Sequence, residues 1–151
     1  MQDRFDAAEV FRIAEQIERD GAAFYRQAAD RFADSDIGGL LAKLASWELL
    51  HERIFADMRK LLEAQQPSSD TEKCRSMASL SEFTIRDAWR HGAARLGSIP
   101  ELIELATKLE RDSIIFYEGL KGFAANKSAV EQIDRIIGEE HLHIKSLREM
   151  L

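Results

Sequence analysis

Apolar residues recur every three or four positions over four long stretches of the chain, which is the spacing of one face of an α-helix. The stretches cover approximately residues 7–32, 37–65, 98–123 and 128–151. No segment alternates apolar and polar residues over a useful length, as a half-buried strand would. The pattern therefore predicts four long helices and no β-sheet.

The connections between these stretches predict how the helices are arranged. The first two helices are joined by a short link, and so are the last two, which favours two antiparallel helical hairpins. Residues 66–78 are loop-like, and a shorter helix is predicted over 81–96, with Ser79 and Glu82 opening it and Gly97 closing it. The predicted fold is all-α, a four-helix bundle with one long crossover, and residues 1–151 are expected to form a single domain.

The two predicted hairpins carry the same polar residues at one constant offset. Four residues of the first recur 92 positions later in the second: Glu18 as Glu110, Tyr25 as Tyr117, Glu48 as Glu140 and His51 as His143. The helix starts recur as well, because the capping boxes Asp6 with Glu9 and Ser98 with Glu101 have the same separation. An offset kept over two helices without an insertion indicates a duplicated hairpin.

Composition excludes several classes of protein. Hydrophobic residues make up 45% and charged residues 32% of the chain, as in a globular protein, and the formal charge of −6 gives no electrostatic footprint for nucleic acid. Cys74 is the only cysteine, so a Cys-x-x-Cys pair and an intrachain disulfide are both excluded. The first residues lack the layout of a signal peptide, and no apolar run is long enough to span a bilayer. A cytoplasmic protein without a membrane partner is expected.

Ligand-type residues interrupt the apolar stripes at corresponding places. Glu48 and His51 are three residues apart, so they point the same way from the second helix, and Glu140 and His143 repeat this on the fourth. One glutamate on each of the other two helices also lies on the inward face. The predicted metal ligands are therefore Glu18, Glu48, His51, Glu110, Glu140 and His143.

Charge balance favours metal at this place. Unpaired buried charge costs more than the net stability of a small domain, roughly 5–15 kcal/mol. Two divalent cations would neutralise the four carboxylates of the predicted set. Imidazole together with carboxylate suits iron, manganese or zinc, and iron is usual where oxygen chemistry follows. A single Glu-x-x-His is more often solvated, so the prediction depends on the joint pattern.

Other polar residues have two possible roles or none at the site. Tyr25 and Tyr117 lie two turns beyond the helix-one and helix-three glutamates, where they either pack in the core or orient a ligand carboxylate from outside the metal shell. Five further residues are predicted not to bind metal: Glu15, Glu52, Glu139, His141 and His91. Glu15 is excluded because its repeat mate is a threonine, and the other four are expected to be solvated.

The quoted residues resemble the rubrerythrin branch of the ferritin-like superfamily over nearly the whole chain. The resemblance is carried by Glu18 with Tyr25, Glu110 with Tyr117, and the motifs Glu48-Leu-Leu-His51 and Glu140-His-Leu-His143. It implies two iron ions bridged by the glutamates of the two motifs, each ion being completed by one further glutamate and one histidine. It also implies reduction of hydrogen peroxide at a diferrous centre.

The sequence departs from the family pattern in two ways. Rubrerythrins commonly carry another carboxylate three residues after the helix-three glutamate, where this chain has Ser113. The cysteine count also leaves out the family's rubredoxin-like domain, so electrons would have to come from a separate donor protein. The resemblance further implies a homodimer. Two alternatives stay open: a ferroxidase or iron-handling protein that uses dioxygen, and a structural bundle whose metals only hold the fold.

Overall fold

The computed structural model describes residues 6–65, 72, 75, 76 and 87–151, and among these residues it contains five bounded α-helices and no strand. The helices are listed here in chain order: α1 Ala7–Arg31, α2 Ile37–Gln65, α3 Asp87–Gly92, α4 Ile99–Leu120 and α5 Lys127–Arg148. Short 3-10 turns follow α3 and α4. The prediction of an all-helical bundle with four long helices is confirmed.

The long helices pair as two hairpins. α1 packs along α2, and α4 packs along α5. The two hairpins are joined by contacts of α1 with α4 and of α2 with α5. The short helix α3 lies on α1, within the crossover between the hairpins. The proposed start of this crossover helix at Ser79 and Glu82, like Cys74, lies outside the described residues.

Side-chain caps begin three of the long helices. The Asp6 carboxylate accepts a hydrogen bond from the Glu9 amide at 3.1 Å, and the Ser98 hydroxyl accepts one from the Glu101 amide at 3.3 Å, which is the N-cap half of each predicted capping box. The Glu101 carboxylate accepts its hydrogen bond from the Gly97 amide, at 3.1 Å. The fourth helix was predicted to begin at about residue 128, and α5 begins one residue earlier, at Lys127. Asn126 caps this helix, and its side-chain oxygen accepts a hydrogen bond from Ala129 at 2.9 Å. Asparagine is among the preferred N-cap residues because its oxygen satisfies a free amide of the first turn.

The link between α1 and α2 is tight. A Cβ added at Gly38 would lie 3.2 Å from the Phe32 carbonyl oxygen, closer than most real contacts, so glycine allows the close approach of the two helices. The apolar faces of all four long helices then meet in one continuous core. Among the described residues, no helix is both long and apolar enough to cross a membrane.

Candidate metal centre

The six predicted ligands lie together in the middle of the bundle. Each is at most 3% exposed, although all six are polar. α1 and α4 each contribute one glutamate, and α2 and α5 each contribute one Glu-x-x-His pair. The three-residue spacing turns both members of a pair toward the same neighbours, as expected on a helix.

The ligand atoms fall into two overlapping groups of four. One group is Glu18, Glu48, His51 and Glu140, and the other is Glu48, Glu110, Glu140 and His143. Within each group the candidate ligand atoms lie within 4.8 Å of one another. Since Glu48 and Glu140 belong to both groups, the arrangement can hold two ions side by side with two shared carboxylates.

The Nδ1 atoms of both histidines face the carboxylates. His51 Nδ1 is 2.7 Å from a Glu140 oxygen and 3.6 Å from a Glu18 oxygen. His143 Nδ1 is 3.1 Å from the other Glu140 oxygen and 3.4 Å from a Glu48 oxygen. The two rings stack with centroids 5.8 Å apart. Each imidazole therefore presents the same nitrogen to the centre.

Each tyrosine bonds the glutamate of the opposite half. The Tyr25 hydroxyl donates a hydrogen bond to Glu110 at 2.5 Å, and the Tyr117 hydroxyl donates one to Glu18 at 2.6 Å. The sequence placed each phenol near the ligand face but did not predict this crossing. These two hydrogen bonds connect the hairpins and orient the carboxylates of Glu18 and Glu110.

Burial and mutual repulsion disfavour charge on three of the carboxylates. Burial, followed by repulsion from Glu140, raises the pKa of Glu18 and of Glu48 well above its ordinary value. The same two causes raise the pKa of Glu110 to about 8. These groups would be anionic at neutral pH far more readily beside a bound cation than without one.

Glu140 and the histidines show the opposite preference. Burial raises the pKa of Glu140, but hydrogen bonds from Glu110, His143 and His51 outweigh it, and the pKa lies well below its ordinary value. Burial lowers the pKa of both histidines, yet hydrogen bonding to the carboxylates brings it to about 9 for His51 and about 12 for His143. In the metal-free protein the imidazolium charges therefore compensate part of the buried negative charge.

The residues present fit a metal site. Glu18 Oε2, Glu48 Oε1 and His143 Nε2 are buried without a hydrogen-bond partner among the described residues. Buried polar atoms are normally satisfied, so carboxylate oxygens without a protein partner beside imidazoles are suited to bind a cation. Oxygen and nitrogen donors of this kind suit iron, manganese and zinc.

The residues predicted not to bind metal lie outside both ligand groups, but their surroundings differ. His141 and His91 are exposed, as expected. Glu15 is buried in a two-point ion pair with Arg59, at 2.6 and 3.2 Å. The prediction that Glu52 and Glu139 are solvated holds only in part, because their side chains are 17% and 31% exposed. Each lies between two helices and contacts a side chain of the neighbouring helix, Arg19 for Glu52 and His51 for Glu139.

Sequence reasoning missed the outer contact of His51. Glu139 places a carboxylate oxygen 2.6 Å from His51 Nε2. Glu52 forms an ion pair with Arg19, between α2 and α1. The residue that corresponds to Glu139 in the first hairpin is Trp47, so the repeat does not point to Glu139. Only its position, directly before a predicted ligand on α5, could have singled it out.

Comparisons with known proteins agree with this architecture. The fold and the carboxylate-rich centre define a ferritin-like bundle. The sequence model of the family Rubrerythrin matches residues 9–151, and the chain belongs to that family. The fold is also similar to the crystal structure of a Thermotoga maritima protein provisionally described as a ferritin-like diiron-carboxylate protein. The TM-score is 0.69 at 24% identity, covering 99% of this chain and 97% of that one. A search of curated proteins finds no match.

Proposed function

We propose that this protein is a non-haem di-iron oxidoreductase of the rubrerythrin type that reduces hydrogen peroxide with electrons from a separate donor protein. The observation that carries the proposal is the pair of overlapping ligand groups, which share Glu48 and Glu140. Membership of the family Rubrerythrin supports the same chemistry.

The proposed ligand roles follow the two groups. Glu18 and His51 would complete one ion, and Glu110 and His143 would complete the other. The two shared glutamates would bridge them. Two divalent ions balance the charge of four carboxylates, and iron is preferred over manganese or zinc because redox chemistry is proposed. When bound as ferrous ions, the metals would supply two electrons that, with two protons, convert hydrogen peroxide to two water molecules.

The residues around the ligands hold protons and exclude water. Burial and the neighbouring carboxylates raise the pKa of Tyr25 and Tyr117 well above its ordinary value. Both hydroxyls therefore keep their protons and remain hydrogen-bond donors at neutral pH. Phe24 packs against Tyr25, and Phe55 packs against Tyr117, so each phenol is fixed on its apolar side. These contacts preserve the orientation of Glu110 and Glu18 and keep the centre shielded from bulk solvent.

Rapid mixing tests the proposal directly. Protein loaded with two ferrous ions per chain without oxygen is mixed separately with hydrogen peroxide and with dioxygen. We expect one equivalent of peroxide to oxidise both ions much faster than it oxidises free Fe(II), and dioxygen to react more slowly. The enzyme proposal fails if neither oxidant reacts faster with the protein than with free Fe(II).

A ferroxidase or iron-handling protein is the second candidate. Ser113 favours it, because its hydroxyl donates a hydrogen bond to the Leu109 carbonyl at 2.9 Å and offers no additional carboxylate to the centre. Faster oxidation by dioxygen than by peroxide would support this candidate. Light scattering separates the assemblies: we propose a homodimer, whereas iron storage requires a hollow multi-subunit shell.

A metal-stabilised structural bundle is the third candidate. The buried carboxylates without hydrogen-bond partners would also suit a metal that only holds the fold. Chelation that unfolds the protein, together with full occupancy by redox-inert zinc after purification, would favour this function over either redox function.

A further inference from the structure

The two halves present matching ligands but different outer neighbours. Glu139 and Trp47 occupy corresponding positions, 92 residues apart, each directly before the shared glutamate of its helix. Glu139 lies 2.6 Å from His51 Nε2. Trp47 instead meets the His143 ring edge-on, with centroids 5.5 Å apart. The outer side of one imidazole therefore faces a carboxylate, and the outer side of the other faces an indole.

The consequence depends on which ring nitrogen is free to bind metal. Nδ1 of both histidines faces the carboxylates, so Nε2 must carry the proton when Nδ1 donates its lone pair to an ion. At His51 that proton has an acceptor in Glu139. At His143 the buried Nε2 has no hydrogen-bond partner among the described residues.

We propose that Glu139 is a positioning residue that makes the two metal positions unequal. Glu139 accepts a hydrogen bond from the Nε2–H group of His51. This bond holds the ring in the orientation and tautomer that turn the Nδ1 lone pair toward Glu18, Glu48 and Glu140. A carboxylate behind a ligating imidazole also makes that imidazole a stronger donor. The position served by His51 therefore binds a divalent cation more tightly than the position served by His143. This inference rests on the proposed dinuclear site.

Cobalt titration of the metal-free full-length chain measures the inequality. Co(II) is followed by its visible absorption and by calorimetry. Wild type should bind two ions per chain with two resolved constants. Glu139→Gln keeps an oxygen that can accept a hydrogen bond from Nε2–H but removes the negative charge. It should weaken Co(II) binding at the tighter position by about 10–100-fold and change binding at the weaker position little. Two equal constants in wild type would overturn the inference.

Glu52→Gln is the matched control. It removes a carboxylate one residue from His51, yet Glu52 pairs with Arg19 and belongs to neither ligand group. Both constants should stay unchanged in this variant. The inference is overturned if Glu139→Gln leaves the affinity of the tighter position unchanged, or if it lowers the affinity of both positions equally.

The repeat also permits a test by gain of affinity. Trp47→Glu places a carboxylate at the corresponding position in the other half, and it should tighten the weaker constant and bring the two values together. This variant keeps the inference testable if Glu139→Gln does not fold, and an unchanged weaker constant would then count against it.

NMR of the histidine side chains separates the proposed role of Glu139 from a purely structural one, because only a hydrogen bond to Nε2–H changes the chemical shift of that proton. In the Zn(II)-loaded protein labelled at histidine with nitrogen-15, one ligating ring should show a downfield, slowly exchanging Nε2 proton. That signal should shift upfield in Glu139→Gln and remain in Glu52→Gln. Its absence from wild type overturns the inference while leaving the dinuclear centre intact. Binding of fewer than two ions by wild type would instead show that the dinuclear centre itself is wrong.

Discussion

The first hairpin, α1 with α2, and the second, α4 with α5, hold the same ligands in different surroundings. Every ligand and both tyrosines have a mate 92 residues away, and the two tyrosine contacts are reciprocal. The partners behind the histidines differ, with a carboxylate at His51 and an indole at His143. The candidate ligands therefore repeat between the halves, while the residues behind the two histidines do not.

The divergence extends along α1 and α4. Glu15 forms an ion pair with Arg59, whereas its mate Thr107 is buried with a hydroxyl that has no hydrogen-bond partner among the described residues. Gly21 leaves room beside Glu48, whereas its mate Ser113 bonds its own helix backbone. The halves therefore carry the same ligand types at the centre and different neighbours one layer out, and each layer can be tested separately.

The largest effect should come from a shared carboxylate. Glu48→Gln keeps the size of the side chain but removes an anionic donor common to both ligand groups. It should weaken binding of both ions by more than the 10–100-fold typical of outer-sphere changes. Glu18→Gln, which alters one group, should weaken one ion and largely spare the other. Metal content per chain after equilibrium dialysis against Co(II) distinguishes these outcomes.

The same experiment can break the equivalence of the halves at the centre. Glu140→Gln should weaken binding of both ions, as Glu48→Gln does, and Glu110→Gln should weaken mainly one ion, as Glu18→Gln does. A shared-glutamate variant that loses only one ion would show that the two groups do not overlap as the geometry indicates.

The next effect concerns pH in the metal-free protein. Glu110, with a pKa raised from 4.5 to about 8, and His51, with a pKa raised from 6.5 to about 9, both favour the folded state when protonated. Such stabilisation is complete below the pKa of the unfolded chain and is lost as pH rises through the folded value. The melting temperature should fall between about pH 5 and pH 9, by roughly 2–4 °C for each kcal/mol lost.

Metal should suppress this pH dependence, because bound cations replace the protons that otherwise relieve the carboxylates. Thermal unfolding followed by circular dichroism at pH 6 and pH 9, with and without Zn(II), measures the effect. Glu110→Gln removes one titrating group and should flatten the metal-free profile in part. A metal-free protein that gains stability between these pH values would contradict the assigned pKa directions.

The tyrosine contacts predict equal effects in the two halves. Tyr25→Phe and Tyr117→Phe each remove one buried hydrogen bond to a glutamate, at 2.5 and 2.6 Å. Each change should lower the free energy of unfolding of the metal-free protein by about 1–3 kcal/mol. Urea denaturation at pH 7 gives the values, and a difference of more than about 1 kcal/mol between them would restrict the equivalence to the metal ligands.

Periodicity was sufficient to predict the four long helices, because each buries one apolar face and the short links leave few arrangements. The repeat brought six polar residues into one prediction, and the structure places all six within two ligand groups. The N-cap of α5 could not be predicted from sequence, because Asn126 and Ser128 are both good N-cap residues. Local preference alone could not choose between them.

The layer outside the ligands could not be predicted in the same way. The repeated pattern that singles out the ligands cannot single out a residue that differs between the halves, and Glu139 is such a residue. The crossing of Tyr25 to Glu110 was also missed, because helical spacing says which face a side chain occupies but not which neighbouring helix it meets. Both features depend on the packing of α2 against α5 and of α1 against α4.

The smallest predicted effect sharpens the comparison of Gly21 with Ser113. A Cβ at Gly21 would lie 3.7 Å from Trp89 Cε2 and 3.8 Å from Glu48 Cδ, which are ordinary contacts. Gly21→Ala should therefore stabilise α1 by about 0.5–1 kcal/mol, since alanine loses less backbone entropy in a helix. Gly138→Ala on α5, where a Cβ would meet nothing within 4 Å, is the matched control and should give a similar gain. If only Gly21→Ala destabilises the Zn(II)-loaded protein in urea denaturation, the space beside Glu48 is required by the filled site, and the halves differ at the centre as well as around it.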